Sequence, residues 1–323
     1  MDGVDERWGS WVGSALVVRG GELVDEAATG ATGSAPCTSS TRFQAGSISK
    51  QVMSVVVLAL GQRGRLQLDL PVGHWLDDLP ARLRPVTLAQ LLSHSSGMGH
   101  WGDVPGLPPV LESPPPRSDL LAMVTDAPLL SAPGDRFRYS GPGFLLVAAV
   151  VEAVTGTSYG EVAAELVFSP AGMRATTSGR FPVGDSDVAL GRRDGREVVV
   201  DEGFSHLPGT GDLWTTTTDL LRYSSALRHG ELLDASAASL LWTLHTELDA
   251  PDPDEQPTAA RSYGYGTFLG RVAGRGAWYV PGDNPGYQSL LAHLPGPDVT
   301  IAVLGSEQAS GVGPVLMQLD TGV

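Results

Sequence analysis

Hydrophobic positions along this chain change their spacing twice. Ser14–Val18 and Glu22–Glu26 are short strand-like runs joined by Arg19-Gly20-Gly21, which predicts a β-hairpin. From Ser47 to about Arg63 the spacing becomes helical. Val52, Val55, Val56 and Ala59 recur as one apolar stripe, and Gly64 ends the pattern. Between Pro71 and about Pro208, short helical patterns alternate with Pro- and Gly-rich stretches. The predicted helices are Leu88–Leu92, Ser118–Thr125, Gly143–Val154 and Tyr159–Leu166. Val104–Arg117 holds six prolines, which excludes regular structure and is expected of a functional loop, a lid or an insertion.

After Gly209 strand character returns. Asp219–Arg228 reads as a helix and Pro251–Ala260 as an acidic surface loop. Tyr263–Leu269, Ala277–Val280, Gln288–Leu294 and Thr300–Leu304 follow in quick succession, so antiparallel strands are expected. A last helix is predicted over Val312–Leu319, and no internal repeat is visible. The pattern implies an α/β fold of the α+β kind. Residues 1–70 and 209–323 would form a sheet domain closed by both ends of the chain. Residues 71–208 would form an inserted, mainly helical domain, with a site between the two.

Charge narrows the partners. Lys and Arg total 21 against 36 Asp and Glu, for a net charge of -15. Such a balance argues against nucleic acid, whose phosphates need clustered cations, and against an anionic membrane surface. The longest apolar runs, near Val52–Leu60 and Phe144–Val151, are too short to span a bilayer. The acidic start, Met1-Asp2-Gly3-Val4-Asp5-Glu6, lacks the apolar core of a secretory signal, so a cytoplasmic location is expected. Cys37 is the single cysteine, which rules out an intramolecular disulfide and fits an inert thiol.

One cation stands apart. Lys50 is the only lysine; the rest of the 21 Lys and Arg residues are arginine. Arg cannot lose its proton in a protein, whereas a desolvated Lys can. A lysine acting as a base therefore cannot be replaced by Arg. It lies three residues after Ser47, and positions i and i+3 share a helix face. Ser47 at a helix start would also have an unpaired backbone N–H and a favourable dipole for developing negative charge. Ser47 and Lys50 are thus a candidate nucleophile and base. Tyr139, in Pro133-Gly134-Asp135-Arg136-Phe137-Arg138-Tyr139-Ser140-Gly141, could serve beside such a lysine as a phenolate or a proton relay. Trp278-Tyr279-Val280-Pro281-Gly282-Asp283-Asn284-Pro285-Gly286-Tyr287 runs from a strand into a turn and holds the only asparagine, Asn284.

Together, Ser47-x-x-Lys50, Tyr139-Ser140 and Gly282-x-x-Pro285-Gly286-Tyr287 resemble, in order, the motifs of the class C β-lactamase-related serine hydrolases. That family includes D-alanyl-D-alanine peptidases, D-aminopeptidases, esterases and transacylases. Leu91-Leu92-Ser93-His94-Ser95-Ser96-Gly97-Met98, Gly211-Asp212-Leu213-Trp214-Thr215-Thr216 and Tyr263-Gly264-Tyr265-Gly266 look similar too, so the likeness spans about Arg42 to Leu304. It implies a β-lactamase/transpeptidase-like fold and a covalent route. Ser47 would attack a carbonyl while Lys50 and Tyr139 move its proton. The oxyanion would be held by the backbone N–H groups of Ser47 and of Asp283, just after Gly282.

Two positions depart from the family pattern. Gly141 stands where the tyrosine motif usually continues to Asn, a residue that commonly contacts a substrate amide and the lysine. Val280 stands where the third motif usually has Lys or His, which helps to hold a substrate carboxylate. The losses argue against β-lactamase or carboxypeptidase action and point to a less polar ester, thioester or amide. The Asp283 carboxylate is expected to face away and cap the turn.

Other signals read as structure. Gly156-Thr157-Ser158-Tyr159-Gly160 matches a nucleophile elbow, but a helix precedes it where a strand is required. His94 is expected to hold backbone; His100 and Trp101 are candidates to line the cleft. No metal-ligand spacing and no nucleotide-binding glycine loop occur, so no cofactor is expected. The expected activity is a serine hydrolase on a small-molecule acyl substrate. The alternatives are an acyltransferase through the same intermediate, a D-amino-acid amidase or peptidase, and a non-catalytic ligand-binding relative.

Overall fold

The computed structural model describes residues 8, 11–32, 35–107, 115–179, 187–198, 207–250, 257–307 and 311–319. Among these, eight strands form one sheet. β1 (Gly13–Arg19) and β2 (Glu22–Thr29) are the expected hairpin. β3 (Thr246–Glu247), β4 (Thr258–Tyr263), β5 (Phe268–Val272), β6 (Arg275–Asn284), β7 (Tyr287–Leu294) and β8 (Val299–Gly305) come from the last third of the chain. The order across the sheet is β3-β4-β5-β6-β7-β8-β1-β2, with antiparallel pairing throughout. β8 meets β1 from Gly13↔Gly305 to Arg19↔Val299, joining early and late segments.

The sheet buries both faces, and β8 shows how. Val299, Ile301 and Val303 join Trp8, Trp11 and Val17 in one apolar core. Ala302 and Leu304, pointing the other way, join a second core with helix α1 (Ile48–Gln62). Every residue of α1 from Ile48 to Leu60 is buried. The expected stripe is therefore a helix enclosed on all sides. Two of its polar members bond outward: Ser49 Oγ donates to Gly46 O at 2.8 Å, and Gln51 Nε2 donates to Thr267 Oγ1 at 2.9 Å.

Helices α2 (Leu88–Leu92), α3 (Arg117–Asp126), α4 (Gly141–Thr155) and α5 (Tyr159–Ala163) fall where helices are predicted. α4 starts two residues early because Ser140 caps it, its Oγ accepting from Gly143 N–H at 2.9 Å, with Pro142 in the first turn. α5 continues as one wide turn through Phe168. α6 (Thr217–Arg228) and α7 (Ala235–Ser239) follow, and α8 (Gly313–Leu316) is shorter than the predicted last helix. The strand expected over Tyr263–Leu269 is two strand ends with a turn between, where Gly266 takes φ +65°. Aromatic neighbours hide that glycine pair in the pattern. Residues 108–114 of the Pro-rich stretch and 251–256 of the acidic loop lie outside the described residues, and Thr258 already opens β4. Among the described residues no single helix is long and apolar enough to cross a membrane.

Candidate active site

The approach to α1 is held tightly. Phe43–Gln44 pairs with Leu213–Thr215, and Ala45 N–H donates to Leu213 O at 2.8 Å. Gly46 takes φ +52° immediately before the helix, a conformation suited to glycine. Ser47 is the N-cap, yet its side chain makes no capping bond. Its hydroxyl has other partners. Lys50 Nζ, one turn on, lies 3.0 Å from Ser47 Oγ and donates to it. Tyr139 is near enough to the same serine for the Ser47 hydroxyl to act on its acidity.

Lys50 is 2% exposed. Nζ also donates to the Thr210 carbonyl and lies 5.1 Å and 5.9 Å from the ring centres of Tyr139 and Phe144. Burial pulls its pKa down to about 7, with the Asp212 charge acting in the opposite direction. Burial pushes Tyr139 up to about 12, and the Ser47 hydroxyl pulls the other way. Of the two forms expected for Tyr139, the proton-bearing phenol is thus favoured over the phenolate. The amine is the better base.

Residues before Tyr139 and α4 are braced by His94. It takes φ 57°, and its Nδ1 accepts from Ser140 N–H at 3.1 Å. Its carbonyl accepts from Arg138 N–H at 2.7 Å. Burial, then the Lys50 charge, holds this imidazole neutral, well below its usual pKa. His94 holds backbone, in the way the sequence suggested.

The third motif reaches the same point from β6. A Cβ on Gly282 would lie 2.2 Å from the Ala45 carbonyl oxygen, so only glycine permits this approach. A Cβ on Gly46 would lie 3.0 Å from Asp283 N, which places that amide beside the start of α1. The Asp283 side chain is exposed near the strand end. Val280 is buried in the α1 core, so it borders the site from within. Asn284 does more than turn the chain: its Nδ2 donates to Gly211 O at 2.7 Å.

Gly141 and Trp101 prove to be one feature. A Cβ on Gly141 would lie 2.4 Å from Trp101 Nε1. The half-buried indole occupies the space a side chain at 141 would need. The Gly141 N–H donates to His100 Nδ1 at 3.1 Å. Burial and the Lys50 charge depress His100 to about 4, while Asp103 opposes them, so this ring too is neutral at pH 7.

Two groups carry weight that the sequence did not assign, the Thr210 carbonyl and Asp212, while His100, named as a cleft candidate, also holds the Gly141 amide. A carbonyl leaves no trace in side-chain identity. Asp212 had a legible signal, as the one acid in the otherwise uncharged run Leu207–Leu213. The elbow-like stretch is two helix ends. Gly156 ends α4 at φ 74°, and Ser158 caps α5 in a reciprocal pair with Glu161. Cys37 is buried, and burial pushes its thiol up to about 11.

Comparison with known proteins identifies the family and the fold. The chain is 34% identical over 254 residues to the esterase EstB of Burkholderia gladioli, which covers 66% of this chain and 64% of EstB. The chain therefore spans less than two thirds of that relative's length. The penicillin-binding protein of Bacillus halodurans superposes with a TM-score of 0.80 at 27% identity, over 94% of this chain and 93% of that one. The D-amino acid amidase of Ochrobactrum anthropi SV3 shares the fold, with a TM-score of 0.82 at 20% identity, over 97% of this chain and 94% of that one. The Beta-lactamase family model matches residues 6–315, and the chain belongs to that family.

Proposed function

We propose that the protein is a serine hydrolase that forms an acyl-enzyme on Ser47 and acts on small, weakly polar esters. The observation that carries the reading is the 3.0 Å contact from Lys50 Nζ to Ser47 Oγ in a dry setting that brings the amine near neutrality. The neutral amine takes the Ser47 proton as Oγ attacks the acyl carbon. The carbonyl oxygen gains charge and is met by the backbone N–H groups of Ser47 and Asp283. As the ester C–O bond breaks, the proton passes from Lys50 through the Tyr139 phenol to the departing alkoxide, which leaves as an alcohol. Water then attacks acyl-Ser47. Its proton returns the serine hydroxyl, and the acyl group leaves as an acid.

Two observations support an ester of low polarity. Val280 provides no cation for a substrate carboxylate, and the Trp101 indole on Gly141 lines the space with apolar surface. The likeness to an esterase supports the same substrate class. The test is intact mass after exposure to a p-nitrophenyl ester, with Ser47→Ala as control. A single acyl adduct on the wild type alone is expected. No adduct on either protein would overturn the proposal. Adding an alcohol acceptor then separates hydrolysis from acyl transfer by the product formed.

A further inference from the structure

Asp212 is a buried acid that the steps above do not use. It is 1% exposed. It follows the turn that carries Thr210, whose carbonyl accepts from Lys50 Nζ. Its oxygens bond to that turn and to a neighbouring strand rather than to the lysine. Oδ1 accepts from Gly209 N–H at 2.8 Å, across the turn. Oδ2 accepts from the Ser178 hydroxyl at 2.5 Å. Thr210 Oγ1 donates to Leu207 O at 2.9 Å, and Asn284 Nδ2 holds the Gly211 carbonyl from the other side. Gly209 takes φ +70°, and a Cβ there would meet Met53 of α1 at 2.2 Å, so the turn is pressed onto the helix that bears Lys50.

We propose that Asp212 is a positioning residue for Lys50: its carboxylate closes the turn that delivers the Thr210 carbonyl to Nζ and places a negative charge in the same buried surroundings as the amine. The inference rests on Lys50 being the base of the proposed reaction. The other titratable groups around the pair do not supply this charge. His94 and His100 face Lys50 as neutral rings, and Tyr139 faces it as a phenol. Tyr159 of α5, which feels the Asp212 charge, is held well above its ordinary range by burial and stays protonated. Among the described residues, Asp212 is the one carboxylate that acts on Lys50. Burial pushes it up to about 6, while Ser178, the Gly209 amide and the Lys50 charge pull it down. Each charge therefore favours the other, so removing one moves the titration of its neighbour.

The sole lysine makes a direct test available. Protein grown with carbon-13 and nitrogen-15 lysine gives one side-chain signal, that of Lys50, and its titration needs no substrate. Asp212→Asn keeps an acceptor for Gly209 N–H and a partner for Ser178, but removes the charge. Without that charge, burial alone acts on Nζ, so the Lys50 midpoint should fall by about one pH unit or more. The acid limb of the ester-hydrolysis profile should move down with it. Equal midpoints in the folded variant and the wild type would overturn the proposal. If the variant fails to fold, the wild-type curve decides. A second, smaller inflection below the main one supports the pair, and a single-site curve overturns it. A shifted midpoint in a protein that never forms an acyl-enzyme would leave the positioning role standing and remove the hydrolase reading.

Discussion

The two faces of the sheet are built from the same strands by different rules. The face covered by Trp8, Trp11, Val315 and Leu316 is an apolar core, fed by Val299, Ile301 and Val303. The face covered by α1 holds Lys50, Gln51, Ser54 and Asp212 among its apolar residues, all buried. Unpaired buried polar groups are costly, and partners offset part of that cost on this face, although Gln51 Oε1 and the Gln44 amide have none. Here Gln51 bonds Thr267, Ser54 bonds the Lys50 carbonyl, and Asp212 bonds Gly209 and Ser178. One face contributes stability alone. The other gives up some stability to hold an amine without water.

The largest way to break this contrast is Lys50→Met. Acylation should fall by about three orders of magnitude or more, because the base is gone. Stability should rise by about 1–2 kcal/mol, because an unbranched apolar side chain replaces a desolvated amine. Stopped-flow acylation and chemical denaturation would read the two effects. A parallel loss of both would show that Lys50 is structural. In the wild type, neutral Lys50 is the competent form, so kcat/KM should rise with pH through about 7. Well below that midpoint it should drop about tenfold per pH unit. Tyr139, up at about 12, adds no limb in the neutral range.

On the opposite face, Ile301→Ala should cost about 3 kcal/mol by leaving a cavity, with the pH–rate profile unmoved in the folded protein. A shifted profile would show that the faces are not independent. Gly141→Ala is a smaller perturbation at the site itself. The added methyl must displace the Trp101 indole, at a cost of about 1–2 kcal/mol, and KM should change more than kcat. Tryptophan fluorescence and steady-state kinetics would follow it. Smallest, Ser158→Ala should remove a helix cap worth about 1 kcal/mol and leave ester hydrolysis intact. Lost activity there would return the elbow-like stretch to the site.

Most of the sheet was legible because alternation and turn residues mark strands locally. Thr246–Glu247 and the strand opening at Thr258, inside the expected loop, were missed, and Tyr263–Leu269 failed where aromatic residues on both sides masked a glycine turn. The enclosure of α1 was only half legible. Periodicity identifies one buried stripe, but the burial of Ser49, Gln51 and Ser54 depends on partners far away in sequence, such as Thr267. At the candidate site, Ser47, Lys50 and Tyr139 could be named from residue chemistry and from family likeness. Gly141 and Trp101 could be named singly, but their contact could not, since 40 residues of chain separate them. The role of Thr210 was invisible for a simpler reason: it is played by a backbone carbonyl.

The pairing of β1 with β8 also constrains how the molecule is made. During synthesis the first hairpin exists long before the strand that will lie beside it, with nearly the whole chain between them. Contacts of such long range are slow to form and leave an open strand edge in the interval. The amide of Asp283 reaches the start of α1 only after β6 has joined the sheet. A nascent chain thus carries Ser47 and Lys50 for most of its synthesis before the Asp283 amide can come to them with the last strands.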